Sequence, residues 1–247
     1  MKIQRLYSLV RQVIQNYSMI VENDRIAIGV SGGKDSLALL YALAGLRKFF
    51  PIKYELVAVT VNLGYENYDI NVIKQICNDL DVELHIIDTQ IKDILNNYKS
   101  NNSHCSLCSK LRKGALYNYI RQINCNKIAY AHNMDDVIET MLMSLIYEGR
   151  FYSFPPVTFL EDINITVIRP LIYVTEAEII GFKNKYSIPI AKNPCPFDGH
   201  TKRQYIKDII ANINKENPGV KKKLFHAIEY GNISDWQKLL SQKKEVI

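Results

Sequence analysis

The chain has 247 residues, 47% of them hydrophobic, and a formal charge of +6. That is enough apolar material for one α/β domain with a large core, and no Ser/Gly/Pro-rich linker, low-complexity tract or repeat divides it. No apolar run approaches the roughly 20 residues of a membrane-spanning helix, and five cysteines, an odd number, exclude complete internal pairing and point to cytosolic thiols.

In chain order, Ile3, Leu6, Val10, Val13, Ile14 and Tyr17 recur at helical spacing, so residues 1–22 predict an amphipathic N-terminal helix. Arg5, Arg11 and Gln12 interrupt any apolar run there, which is not the pattern of a signal peptide. Residues 25–30 (RIAIGV) read as a buried strand and 36–49 as the helix after it. Residues 55–61 (ELVAVTV) predict a second strand, 68–80 a helix, and 83–88 (ELHIID) a third strand. A helix over 110–123 precedes a fourth strand at 127–131 (KIAYA). Residues 135–147 place Val137, Ile138, Met141, Leu142 and Leu145 on one helical face; a fifth strand at 166–168 and a helix at 175–186 follow. Strands that are apolar nearly throughout, alternating with helices, predict a Rossmann-like, five-stranded parallel sheet with helices on both faces. The expected division is an N-terminal helix (1–22), the main domain (23–200) and a basic helical tail (201–247) packed on the same domain. Ligands of such sheets bind beyond the carboxyl ends of the strands, and both 31–36 and 132–136 fall on that edge.

Residues 31–36, Ser31-Gly32-Gly33-Lys34-Asp35-Ser36, join the first strand to its helix. Two glycines let backbone approach an anion, and the helix N-terminus adds positive potential. Lys34 brings a full charge, and Ser31 and Ser36 bring hydroxyl donors. Asp35 beside a phosphate calls for an intervening cation and is a candidate Mg²⁺ contact. The spacing does not fit GxxxxGK[ST]. The segment resembles the signature of the PP-loop (N-type) ATP pyrophosphatases, which split ATP into AMP and pyrophosphate, and the resemblance implies adenylation of a substrate.

Cys105-Ser-Leu-Cys108 is a second feature: two thiolates three residues apart suit one metal centre, and Lys110, Arg112 and Lys113 favour the thiolate form. Cys195 stands in Asn-Pro-Cys-Pro-Phe-Asp, a loop stiffened by prolines. By spacing, three cysteines hold three corners of an iron–sulfur cluster with one iron open, or zinc with His104, His200 or Asp198, or act as a redox dithiol. Cys77 and Cys125 sit in apolar contexts and read as core. His132, Asp135 and Asp136 open the helix after the fourth strand. There a carboxylate serves either as an N-cap or as a group near Mg²⁺–pyrophosphate or the activated base; His132 contacts a phosphate or packs under the loop. Between residues 201 and 223 seven cations face two anions, and Lys110, Arg112, Lys113 and Arg121 form a second basic cluster; both suit a phosphate backbone or a solvated surface.

Taken together and in order, SGGKDS, CSLCSKLRKG, AHNMDDVIET, IRPL and NPCP resemble the tRNA 2-thiolation group of PP-loop enzymes, most closely the tRNA 2-thiocytidine synthetase (TtcA) family, over roughly residues 20–210. The resemblance implies a 4Fe–4S cluster on Cys105, Cys108 and Cys195, and Asp136 as the catalytic carboxylate with Asp135 in support and Lys34 on the phosphates. It implies ATP as co-substrate with Mg²⁺ at 31–36 and His132, a tRNA substrate, and a sulfur donor that is a cysteine desulfurase or sulfide. It also implies a homodimer in the cytoplasm, without membrane attachment. The family often has a second Cys-x-x-Cys at the distal site; here its last position is Asp198, which either caps the fourth iron or leaves it to sulfide. Rival readings are another PP-loop enzyme of the 2-thiouridine, lysidine synthetase or amidotransferase type, a zinc-containing RNA-binding module with a vestigial loop, and an ATP-independent desulfurating enzyme.

Overall fold

In the computed structural model, which describes residues 1–66, 68–98, 104–191, 202–231 and 236, the apolar runs pair into one six-stranded sheet. Its strands are β1 (Asp24–Gly29), β2 (Tyr54–Asn62), β3 (Glu83–Asp88), β4 (Lys127–Ala129), β5 (Val157–Leu160) and β6 (Ile165–Ile168), in the order β3-β2-β1-β4-β6-β5. The five expected strands are present and mutually parallel. The sixth, β5, corrects the strand count: it pairs antiparallel with β6, Val157 opposite Ile168 and Leu160 opposite Ile165. It is four residues long, follows Pro155-Pro156 and returns through a 3-10 turn (Glu161–Ile163) and Asn164 at φ 53°. Four residues are too few to display a period, and prolines favour an edge position.

The helices are α1 (Ile3–Asn16), α2 (Lys34–Leu46), α3 (Ile70–Asp79), α4 (Ile91–Asn97), α5 (His104–Gln122), α6 (Met134–Glu148), α7 (Glu176–Lys185), α8 (Lys202–Glu216) and α9 (Val220–Tyr230). Side chains alternate across each strand, and the two faces bury different partners. Ile26, Ile28, Leu56, Ala58 and Ala129 join a large core with α1, α2, α3, α6 and α7. Ala27, Val57, Val59, Ile128 and Val167 meet Leu116 and Ile120 of α5 on the opposite face. Each fully buried branched side chain contributes about 1.5–3 kcal/mol relative to exposure, so covering both faces fixes the layer order.

The carboxyl-side chain folds back on this core. Helices α8 and α9 pack on α6. The Tyr17 hydroxyl donates to Glu229 at 2.9 Å, and fully buried Trp236 stands edge-on to Tyr17. Among the described residues no helix is long and apolar enough to cross a membrane.

Candidate active site

The loop after β1 is shaped by its own hydroxyls. Ser31 N–H donates to Ser36 Oγ (3.2 Å), Gly33 N–H to Ser31 Oγ (3.4 Å), and Ser36 Oγ–H to Gly33 O (3.0 Å). Gly32 has φ +77°, and a Cβ there would stand 2.6 Å from Ala191 Cβ, so only glycine fits. Gly33 is the N-cap of α2, and a Cβ on it would meet only Ser31 Oγ at 3.5 Å, which leaves its face open to a ligand. The amides that begin α2 are donors without intrahelical partners, the backbone half of an anion site.

The loop after β4 approaches the same edge. Asn133 caps α6: its Oδ1 accepts from Asp136 N–H (3.1 Å), and Asp136 Oδ2 accepts from Asn133 N–H (3.0 Å). The Asn133 amide also donates to Asp35 Oδ1 at 3.1 Å, joining the two loops. The adjacent aspartates diverge from there. Asp135 is buried; it accepts from Glu176 N–H (2.7 Å) at the start of α7 and from Lys221 Nζ (2.5 Å) on α9. Asp136 is part-buried and pairs with Arg203 at 3.1 Å. Burial pushes the Asp136 carboxyl above its ordinary range, with Asp35 adding, against the Asn133 amide and Arg203.

Carboxylates and cations alternate along this edge. Lys34 Nζ lies 2.9 Å from both Asp35 and Glu176; burial opposes its charge, but these two carboxylates outweigh that and hold its pKa above the ordinary value. Glu176 pairs with Lys207 (3.0 Å), and Arg203 reaches Glu139 (3.2 Å) as well as Asp136. Burial pushes Glu139 up to about 7, against Lys207 and Arg203. Arg203, Lys207 and Lys221 are thus committed to carboxylates of the site, three of the seven cations that composition assigns to a basic tail.

A cavity of about 640 Å³ opens beyond the strand ends. Ser31, Gly33, Asp35 and Ser36 line one wall; Cys105, Cys108, Arg112 and Lys113 of α5 line another; Tyr130, His132 and Arg169 close the far end. Helix α5 begins at His104, six residues before the start that periodicity gives, because Cys-Ser-Leu-Cys-Ser carries no apolar stripe. Three residues apart on a helix, Cys105 and Cys108 share one side. Cys105 is exposed and Cys108 half-buried, whereas Cys77 and Cys125 are buried, and burial raises both of the latter thiols. Cys195, with Asp198 and His200, lies outside the described residues. Lys34, Asp135 and Asp136 are not among the lining residues: Lys34 bonds to Asp35, Asp136 is tied to Asn133, whose amide donates to Asp35, and Asp135 turns to Glu176 and Lys221.

The sequence reading missed Glu176 and Glu139 and left Arg169 without a role. Glu176 follows Thr175 in a capping box with Glu178, an ordinary helix start; only the sheet order brings it to Lys34. Burial, with Arg169, Arg203 and Lys113 nearby, pushes His132 down to about 3, so it is neutral at pH 7.

The family model for the PP-loop domain matches residues 4–213. The tRNA-cytidine(32) 2-sulfurtransferase of Geobacter sulfurreducens is 36% identical over 233 residues, covering 93% of this chain and 90% of that protein. The enzyme of the same name from Citrifermentans bemidjiense is 37% identical over 227 residues, 91% of this chain and 89% of its own length. Among solved structures, the U34-tRNA thiolase NcsA from Methanococcus maripaludis with its [4Fe-4S] cluster superposes with a TM-score of 0.73 at 27% identity, covering 95% of this chain and 78% of that one. An NH3-dependent NAD synthetase from Campylobacter jejuni, 17% identical with a TM-score of 0.50 over 96% of this chain and 94% of its own, shares the fold alone.

Proposed function

The chain belongs to the PP-loop domain family, alongside the tRNA-cytidine(32) 2-sulfurtransferases, and on that footing we propose that it is an ATP-dependent tRNA sulfurtransferase that replaces the C2 oxygen of an anticodon-loop cytidine with sulfur. One observation carries the reading: the phosphate loop and the Cys105–Cys108 pair line one cavity. A phosphate-binding wall beside a thiolate wall suits a reaction in which an adenylated intermediate meets sulfur.

In this reading Ser31, Gly32, Gly33 and Ser36 hold the ATP phosphates with backbone amides and hydroxyls, and Lys34 adds its charge. Asp35, oriented by Asn133, is the proposed Mg²⁺ contact. The base's C2 oxygen attacks the α-phosphorus, pyrophosphate departs, and the O2-bound AMP becomes a leaving group. Asp136, whose carboxyl burial raises, is the proposed proton carrier at this step, linked to the cavity wall through Asn133 and Asp35; Asp135 supports it by fixing the α6 N-terminus to α7. His132, neutral and lining the cavity, offers nitrogen contacts to what binds there.

The donor set fits a 4Fe–4S cluster: Cys105 and Cys108 present sulfur to the cavity, and Cys195 follows Ala191 by four residues, an extended reach of at most about 14 Å. When bound by these three thiolates, such a cluster supplies an iron open to sulfur. Arg112 and Lys113 line the cavity as cations suited to RNA phosphate, and Lys202, Lys222 and Lys223 of α8 and α9 are further candidates for that contact. The same proposal includes a sulfur supply from a cysteine desulfurase or sulfide, a homodimer, a cytoplasmic setting, and a main unit of residues 23–200 flanked by 1–22 and 201–247.

The test is anaerobic reconstitution, followed by iron and sulfide assays and ATP-dependent thiolation of tRNA. Cys105→Ala, Cys108→Ala and Cys195→Ala are expected to lose cluster and thiolation together, and Cys77→Ala and Cys125→Ala to keep both. A colourless wild-type protein holding stoichiometric zinc would end the proposal.

A further inference from the structure

The far end of the cavity carries polar groups that neither the phosphates nor the thiolates use. Arg169 directly follows β6 and is 9% exposed. Its Nη1 donates to Pro155 O (2.6 Å) and Thr158 Oγ1 (2.9 Å), while buried Nε reaches no partner. Among the described residues no carboxylate pairs with it; its neighbours are the phenols of Tyr152, Tyr117 and Tyr130, and burial lowers its pKa to about 10. His132 has the same deficit: its Nδ1 is buried without a partner. Phe154 joins the two, its ring 4.6 Å from the His132 ring and 5.0 Å beneath the Arg169 guanidinium.

Buried donors and acceptors are satisfied in working proteins, and each orphan costs about 1–3 kcal/mol. With the Tyr130 hydroxyl, which is likewise buried without a partner, three orphans at the aromatic end of one cavity describe a ligand. An anion seat calls for donors alone. His132 is neutral here, so its ring offers one donor nitrogen and one acceptor. A donor and an acceptor among aromatic rings suit the edge of a planar heterocycle.

We propose that this end of the cavity is the seat of the target base, in which Arg169 Nε–H donates to N3 of cytosine, leaving O2 free to react, and His132 Nδ1 accepts from its exocyclic amine. The assignment rests on the thiolase reading above and adds the means of base selection. Cytosine presents acceptors at O2 and N3 and a donor at N4. Uracil presents a donor at N3 and an acceptor at O4, so both contacts would meet like groups. The registers Ile28↔Ala129 and Ala129↔Ile168 set Gly29, Tyr130 and Arg169 level on adjacent strands. With strands about 4.8 Å apart, the base end lies roughly 10 Å across the sheet from the strand that feeds the phosphate loop.

The experiment measures equilibrium binding of stem-loop RNAs carrying cytidine, uridine or 2-pyrimidinone riboside at the target position, at fixed salt. Wild-type protein is expected to prefer cytidine over either alternative by about tenfold. His132→Phe, which keeps a ring on Phe154, and Arg169→Lys, which keeps the charge but not the planar donor, should each bring that preference to within about twofold. Because Arg169 also holds residues 155–158, the base-analogue series with wild-type protein tests the seat without any variant. Equal binding of all three RNAs by wild type overturns the base seat and leaves the thiolase reading standing. Full preference retained by both variants also overturns it. Wild-type protein that binds none of the RNAs overturns both.

Discussion

Replacing Asp135 by alanine should cost stability before it costs chemistry. Asp135 Oδ2 accepts the Glu176 N–H at 2.7 Å and Oδ1 accepts from Lys221 Nζ at 2.5 Å, with the aspartate side chain 6% exposed. Glu176 is the first residue of α7, so its amide has no intrahelical partner. A hydrogen bond from such an amide to a carboxylate contributes about 1.5–3 kcal/mol. The Lys221 pair adds no more than about 1 kcal/mol, because that side chain is 40% exposed and solvent screens it. The expected loss is therefore roughly 2–4 kcal/mol out of the 5–15 kcal/mol usual for a domain. Urea unfolding of Asp135→Ala, Asp135→Asn, Lys221→Met and the Asp135→Ala/Lys221→Met double variant measures it. The asparagine, which keeps an acceptor oxygen, should recover part of the loss, and coupling between positions 135 and 221 should stay below about 1 kcal/mol. Asp135→Ala with unfolding within 0.5 kcal/mol of wild type and thiolation abolished would refute this: Asp135 would then act in the chemistry.

Lys34→Ala should lower pyrophosphate release at least about 100-fold with cluster content retained; wild-type rates would remove Lys34 from the phosphate site. Glu139 binds its proton more tightly in the native state, its pKa raised by burial to about 7 from 4.5, so it lowers stability as pH climbs through that interval. Glu139→Gln should remove up to about 3 kcal/mol of that decline, read as unfolding free energy from pH 5 to 8; curves parallel to wild type would show that the group ionises freely. Changing Lys222 and Lys223 together to alanine should weaken tRNA binding and reduce the slope of log K against log salt by roughly 1–2. An unchanged slope would mean that RNA does not cross α9.

What the sequence disclosed here was whatever has a local signature. Strands β1 to β4 and β6 announce themselves by apolar runs, and residues 31–36 by a glycine pair, a lysine and two hydroxyls between strand and helix. β5 was illegible because four residues carry no period, and its pairing with β6 turns on Asn164 at φ 53°. The two aspartates at the start of α6 look equivalent in one dimension. Their separation into a buried tie and a part-buried acid depends on Lys221 and Arg203, 86 and 67 residues away. Arg169 likewise looks like any arginine before a proline until the sheet order carries it to the cavity. Orphaned atoms are a property of surroundings, and one-dimensional patterns record no surroundings.

The contact between Gly32 and Ala191 ties the phosphate loop to a distant part of the chain. Ala191 N–H donates to Gly32 O at 3.0 Å, and the left-handed backbone of Gly32 leaves no room between the two residues. The peptide that cradles phosphate therefore abuts the start of the segment leading, four residues later, to Cys195. A side chain at position 32 would force the two residues apart, so the shape of the phosphate loop depends on a residue far along the chain that is not part of the loop.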